Sequence, residues 1–218
     1  MQIESISRRR LFDAYPLVRA EIQYFQQQEA SYLRESDPAY WKRIRQWYDL
    51  YTDGENHSIL SERAFAVLAY PAITRLDYTR HFIPTLIRCF QRMGISQWIV
   101  AQPLALPWTE YGFANERKRS YFNRITNYPQ TAVGFAMDAS GLQHVLQACL
   151  FAHPDGPTFL FFAKDHPAEI SASICKDGNV HLNLAHNAIP LLKSTMDQRG
   201  ILVGDLPLCS IHYRARLR

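Results

Sequence analysis

The stretch AEISASICKDGNVHLNLA, residues 168–185, holds two short strand-like segments around a turn. At its centre, Lys176-Asp177-Gly178-Asn179 is a hairpin signal, because Asp-Gly enters a primed turn with little strain. The flanking segments are short and strand-like. With GPTFLFFAKD just upstream, at residues 156–165, they predict an antiparallel meander.

Working outward, SQWIVAQ (96–102) and TAVGFAMD (131–138) read as further strands, rich in β-branched and aromatic residues. Between them, residues 103–113 are irregular, and ANERKRSYFNRI (114–125) has a helical pattern through Tyr121, Phe122 and Ile125. Residues 139–152 predict a helix with Leu142, Val145, Leu146 and Cys149 inward. Residues 188–200 predict another, stopped by Gly200. The closing CSIHYRARLR (209–218) alternates Ile211, Tyr213, Ala215 and Leu217 with His212, Arg214, Arg216 and Arg218. A terminal strand with one apolar and one cationic face is the expectation.

The first half reads as helical. Leu11, Tyr15, Val18, Ile22 and Phe25 step by four and three, one face of a helix reaching about Arg34. SDPAYWKRIRQWYDLY (36–51) has Asp37 as a cap and Pro38 at the first helical position, with Trp41, Ile44, Tyr48 and Tyr51 on one face. Trp47 lies off that face, and an exposed Trp47 beside Arg43 would suit an interface anchor. TDGENHS (52–58) is a loop. ILSERAFAVLAY (59–70) predicts a third helix, and residues 76–94 a fourth, which Pro84 kinks or restarts. The expected class is therefore α+β. An N-terminal helical layer of about four helices packs on a C-terminal, mostly antiparallel sheet with two or three helices. Residues 1–94 form the helical region and residues 95–218 the α+β region, as two units or as one continuous domain.

The chain has 218 residues, 47% hydrophobic and 20% charged, which is the composition of a globular protein with a sizeable core. The four cysteines, Cys89, Cys149, Cys175 and Cys209, are widely spaced and form no disulfide framework. They are expected as reduced thiols in a cytoplasmic protein. No signal-peptide pattern and no apolar run of membrane-spanning length is present, so no membrane association is expected. The net charge of +4 is unevenly distributed. Arg117, Lys118, Arg119 and Arg124 face one acid, Glu116, within residues 114–131. Arg199, Arg214, Arg216 and Arg218 face only Asp205 within residues 199–218. Residues 132–198 carry three lysines against six acids. This polarity suits a charged contact surface and falls short of a nucleic-acid-binding composition.

Two basic segments are thus the candidate binding residues: His212, Arg214, Arg216 and Arg218 on the tail, and Arg117, Lys118, Arg119, Tyr121 and Arg124 on the predicted helix. Arginine forks bond carboxylates and phosphates bidentately. Charged residues on a strand also discourage edge-to-edge aggregation, and a basic helix is often just a solvated face. The expectation is one exposed surface joining both segments.

Catalytic and metal signatures are lacking. There is no G-x-S-x-G elbow, no glycine-rich phosphate loop, no H-E-x-x-H and no paired-cysteine pattern. Cys175, His181 and His186 fail as a metal set, because five residues along a strand put the two histidines on opposite faces. Cys175 and His181 facing one another across the hairpin would supply a thiol and a base, although a cysteine is more often a small buried hydrophobe. No metal and no cofactor is expected.

Three function classes remain. The preferred one is a cytoplasmic protein-binding module, an adaptor or an inhibitor of the immunity-protein kind, that engages an acidic partner protein through a basic, aromatic-containing surface. The first alternative is a nucleic-acid- or nucleotide-binding protein using the same segments. The second is an enzyme with a site around Cys175 and His181.

Overall fold

The meander forms as its pattern requires. Strands β5 (Leu160–Ala163), β6 (Ser171–Ile174) and β7 (Val180–Ala185) pair in antiparallel succession, with Phe161 opposite Ala172 and Ala172 opposite Leu182. Gly178, at φ +86°, supplies the left-handed residue of the β6–β7 turn. The computed structural model describes residues 1–49, 63–71, 77–108, 113, 115–128, 133–149, 159–175 and 178–211.

Around the meander, β1 (Ile3–Ser7), β2 (Arg63–Ala69), β3 (Gln97–Ala101), β4 (Val133–Asp138) and β8 (Leu202–Gly204) complete an eight-stranded sheet of order β1-β4-β3-β5-β6-β7-β2-β8. Every neighbouring pair is antiparallel. The helices among the described residues are α1 (Arg8–Ala14), α2 (Pro16–Ser36), α3 (Pro38–Ile44), α4 (Ile83–Arg92), α5 (Glu116–Thr126), α6 (Ala139–Cys149), α7 (Ile189–Asp197) and α8 (Leu206–Ile211). None of the described helices is long and apolar enough to cross a membrane.

The α+β class stands, but the helices are distributed along the chain rather than gathered into an N-terminal layer. Two strands, β1 and β2, come from the first 94 residues and lie in the same sheet as the rest. Residues 63–69 of the anticipated third helix are strand β2, with Ala66, Val67, Leu68 and Ala69 all buried. β2 lies between β7 and β8, and a strand covered on both faces loses its alternation, so its apolar run mimics a helix. The tail expectation also fails where it is described, since residues 209–211 close helix α8 rather than opening a strand.

Alternation divides the core between the two faces of the sheet. On β3, Trp98 and Val100 face one core, and Ile99 and Ala101 face another. The larger core is roofed by α4, α5, α6 and α7, through residues such as Phe90, Phe122, Leu146 and Leu192. Full burial of one such side chain stabilises by roughly 1.5–3 kcal/mol. The opposite face is covered by α1 and α2 through Leu11, Val18 and Ile22, packed on Ile6, Ile99 and Phe162. A third cluster joins Ala30, Ile44 and Tyr48 to Leu104 and Leu106, and Trp47 packs against it half-buried. Trp47 is therefore not the exposed anchor its helical phase suggested.

Local signals act as read in several places. The Asp37 side chain accepts a hydrogen bond from the Tyr40 amide at 2.9 Å, and Pro38 opens α3. A π-helical turn, Tyr78–Phe82, precedes α4, and Pro84 sits in the first turn of α4, where it restarts the helix. Gly200, at φ +70°, ends the segment after α7.

Candidate functional site

The second face of the meander is polar. Strand alternation puts Ala172, Val180, Leu182 and Leu184 into the larger core, and turns Ser171, Ser173, His181 and Asn183 the other way. The register sets Ser171 opposite Asn183 and Ser173 opposite His181, while β2 brings Phe65 beside Asn183 and Val67 beside His181. Helix α2 passes over this face through Glu21, Tyr24, Phe25 and Gln28. It leaves a groove of about 400 Å³ floored by the serines, His181 and Asn183.

One end of the groove is closed by a buried ion pair. Arg63 and Glu21 are in contact, with side-chain exposures of 4% and 10%. Ser171 Oγ donates to Glu21 Oε1 at 2.6 Å, and an Arg63 Nη donates to the Asn183 carbonyl at 2.7 Å. Burial holds the Arg63 guanidinium pKa below its ordinary value, and Glu21 and Glu169 offset only part of that shift.

Toward the β6–β7 turn, two sulfurs meet an imidazole. Cys209, carried in by α8, has its Sγ 3.2 Å from His181 Nε2 and 3.5 Å from Cys175 Sγ. Fully buried Asn179 donates through Nδ2 to the Cys209 carbonyl at 3.0 Å and to Cys209 Sγ at 3.5 Å. The His181 ring stands edge-on to Phe65, 5.9 Å between centroids. The facing of Cys175 and His181 across the hairpin thus occurs, with Cys209 as a third member. The ligand atoms of Cys175, His181 and Cys209 all lie within 4.8 Å of one another, and all three residues are half-buried. His186 has no part in this group and is exposed in the turn His186–Ala188. Cys89 and Cys149 are buried elsewhere in the larger core, and burial raises both thiol pKa values.

The basic helix forms as expected. Asn115 caps α5, accepting from the Lys118 amide at 3.0 Å, and Asn127 ends it in the left-handed region at φ 45°. Phe122 is buried and stacks on Trp108 with centroids 5.0 Å apart. Arg117, Arg119 and Arg124 are exposed, and Lys118 and Tyr121 are half-buried. Arg119 pairs with Glu116 at 2.5 Å, and Arg124 lies over the Tyr121 ring, 5.5 Å from its centroid. The Tyr121 hydroxyl is 2.5 Å from His144 Nδ1.

The other half of the anticipated surface, His212, Arg214, Arg216 and Arg218, lies outside the described residues. Helix α8, which leads to it, packs on β2 and β8, whereas α5 packs beside β1 at the opposite edge of the sheet. The loop histidine His166 accepts the Ala168 amide through Nδ1 at 3.1 Å, a turn-forming role.

Sequence reasoning missed Cys209 as a site residue, because it read residues 209–218 as a strand. It also missed the pairing of Glu21 with Arg63, residues far apart in the chain. The same-face spacing of residues 171, 173 and 175 against 179, 181 and 183 was the signal available for the polar floor.

No protein-family model matches the chain, and no curated protein and no solved structure matches it.

Proposed function

We propose that the protein is a cytoplasmic binding module, an adaptor or an inhibitor of the immunity-protein kind, that engages an acidic partner protein through the basic, aromatic face of α5. The observation carrying this reading is the α5 surface itself. Three guanidiniums are exposed there, the helix has a single acid, Glu116, and Arg124 is held over Tyr121. A stacked guanidinium is partly ordered before it meets a carboxylate, so less side-chain freedom is lost on binding. In open solvent each such pair contributes roughly 0–1 kcal/mol. Desolvation under a partner is what turns Arg and Tyr into anchors.

The test compares wild type with Arg117→Ser/Arg124→Ser in capture from the native host extract, with and without nuclease, followed by affinity measurement on the captured protein. The expected result is a nuclease-resistant partner whose affinity falls about 30-fold in the double variant, equivalent to about 2 kcal/mol. Equal capture by both proteins overturns the reading. Release by nuclease, with a steep loss of affinity as salt rises, favours the nucleic-acid alternative instead.

A second reading, an enzyme built around Cys175 and His181, is favoured by one observation. The groove under α2 runs up to His181, whose Nε2 sits 3.2 Å from the Cys209 thiol, within reach for a base and a nucleophile. In that case Cys209 would alkylate rapidly whether or not metal ions are present.

A further inference from the structure

We propose that Cys175, His181 and Cys209 form a zinc-binding centre that ties helix α8 to the β6–β7 hairpin. The centre is independent of the α5 surface.

The spacing is the first argument. In a tetrahedral zinc site, sulfur lies about 2.3 Å and nitrogen about 2.0–2.1 Å from the metal, so neighbouring ligand atoms stand about 3.4–3.8 Å apart. Here the two sulfurs are 3.5 Å apart, and the imidazole nitrogen is 3.2 Å from Cys209 Sγ. All three ligand atoms lie within 4.8 Å of one another, and the ion would draw them the remaining distance together. A disulfide would instead need the sulfurs to close to about 2.05 Å.

Ligand chemistry is the second. Two thiolates and an imidazole are a soft set that suits zinc over the hard cations calcium and magnesium. On binding, the two thiols lose their protons to solvent, the histidine binds through Nε2, and the two thiolate charges neutralise the dication. No oxidant or reductant is involved. Three protein ligands leave the fourth tetrahedral position to water.

The surroundings are the third. Asn179 is fully buried at the turn and directs Nδ2 at both the carbonyl and the sulfur of Cys209. An amide donor of this kind holds a ligating thiolate in place. Phe65 packs edge-on against the His181 ring. The backbone is braced as well: the Cys175 amide donates to the Asn179 carbonyl at 2.9 Å, and the Gly178 amide donates to the Cys175 carbonyl at 2.9 Å. Two ligands therefore come from a closed hairpin and the third from a helix packed on β2 and β8.

The experiment uses the full chain, reduced and stripped of metal. Zinc is titrated against a chromophoric chelator, stoichiometry is read by native mass spectrometry, and cobalt(II) is added in parallel as a spectroscopic probe. One zinc per chain is expected, with thiolate-to-cobalt charge-transfer absorption and a rise in melting temperature. Cys175→Ser, Cys209→Ser and His181→Ala should each weaken binding by more than the roughly 10–100-fold expected for the supporting variant Asn179→Ala. Cys89→Ser and Cys149→Ser should bind zinc as wild type does. Because a variant can fail to fold, wild-type alkylation is measured too: zinc should protect Cys175 and Cys209 from iodoacetamide. The proposal is overturned by less than stoichiometric zinc, by zinc binding that survives Cys175→Ser/Cys209→Ser, or by a cobalt spectrum lacking thiolate bands. Alkylation of Cys209 at the same rapid rate with and without zinc also overturns it, in favour of the thiol-nucleophile reading.

Discussion

Asp138 shows how one side chain secures two elements. Its carboxylate accepts the Gly141 amide at 2.7 Å, capping the first turn of α6, and the Gln2 amide at 3.0 Å, holding the chain just before β1. Desolvation pushes its pKa up, but the two amide hydrogen bonds help bring it below the ordinary carboxylate value. A carboxylate with a depressed folded pKa contributes stability that is complete above its unfolded value, about 3.9, and disappears as pH falls through the folded one. Asp138→Ala should therefore lose about 1 kcal/mol at pH 7 by urea unfolding. The gap to wild type should narrow as pH falls below the unfolded carboxylate value of about 3.9. A gap independent of pH would show that the charge is irrelevant. In the sequence Asp138 only closes the predicted strand 131–138, since its second partner, the Gln2 amide, is 136 residues away.

At the scale of elements, α6 depends on a close approach. A Cβ added at Gly141 would lie 2.9 Å from Met137 Cβ, 3.0 Å from Ile3 Cγ1 and 3.1 Å from the Gln2 carbonyl. Ala normally stabilises a helix interior over Gly by about 1 kcal/mol, but overpacking of this kind costs about 1–3 kcal/mol. Gly141→Ala should lower the melting temperature by about 3 °C, corresponding to a net loss of about 1 kcal/mol. A rise would mean that β1 yields freely. Elements with strong local signals were readable: the meander, α3 behind Asp37 and Pro38, and α5. β2 was misread because burial on both faces erases the alternation that marks a strand. Helix α8 was misread because six residues hold too little periodicity to outweigh the alternation that follows them.

Across the whole molecule, the Glu21–Arg63 pair fastens α2 to the open face of the sheet and shapes one end of the groove. Breaking a buried pair by neutralising one partner leaves a stranded charge and costs about 3–5 kcal/mol, whereas replacing both partners with apolar residues is often neutral or better. Glu21→Gln should destabilise by about 3 kcal/mol in thermal or urea unfolding, and Glu21→Met/Arg63→Met should recover most of it. Arg63 Nε is buried with no hydrogen-bond partner, which adds to the case for recovery. A double variant as unstable as the single one would show that the hydrogen bonds around the pair, rather than its charges, hold α2.

The α+β class, the meander, the capped helices and the cationic α5 were legible in the chain, because each is signalled by residue patterns and caps within short stretches. The entry of β1 and β2 into the sheet, the meeting of Glu21 with Arg63 and the joining of Cys209 to Cys175 and His181 come from long-range packing. Those groups are brought together by packing between segments 28 to 42 positions apart or more. Periodicity reports which face a residue takes on its own element, and it is silent on which distant element will cover that face.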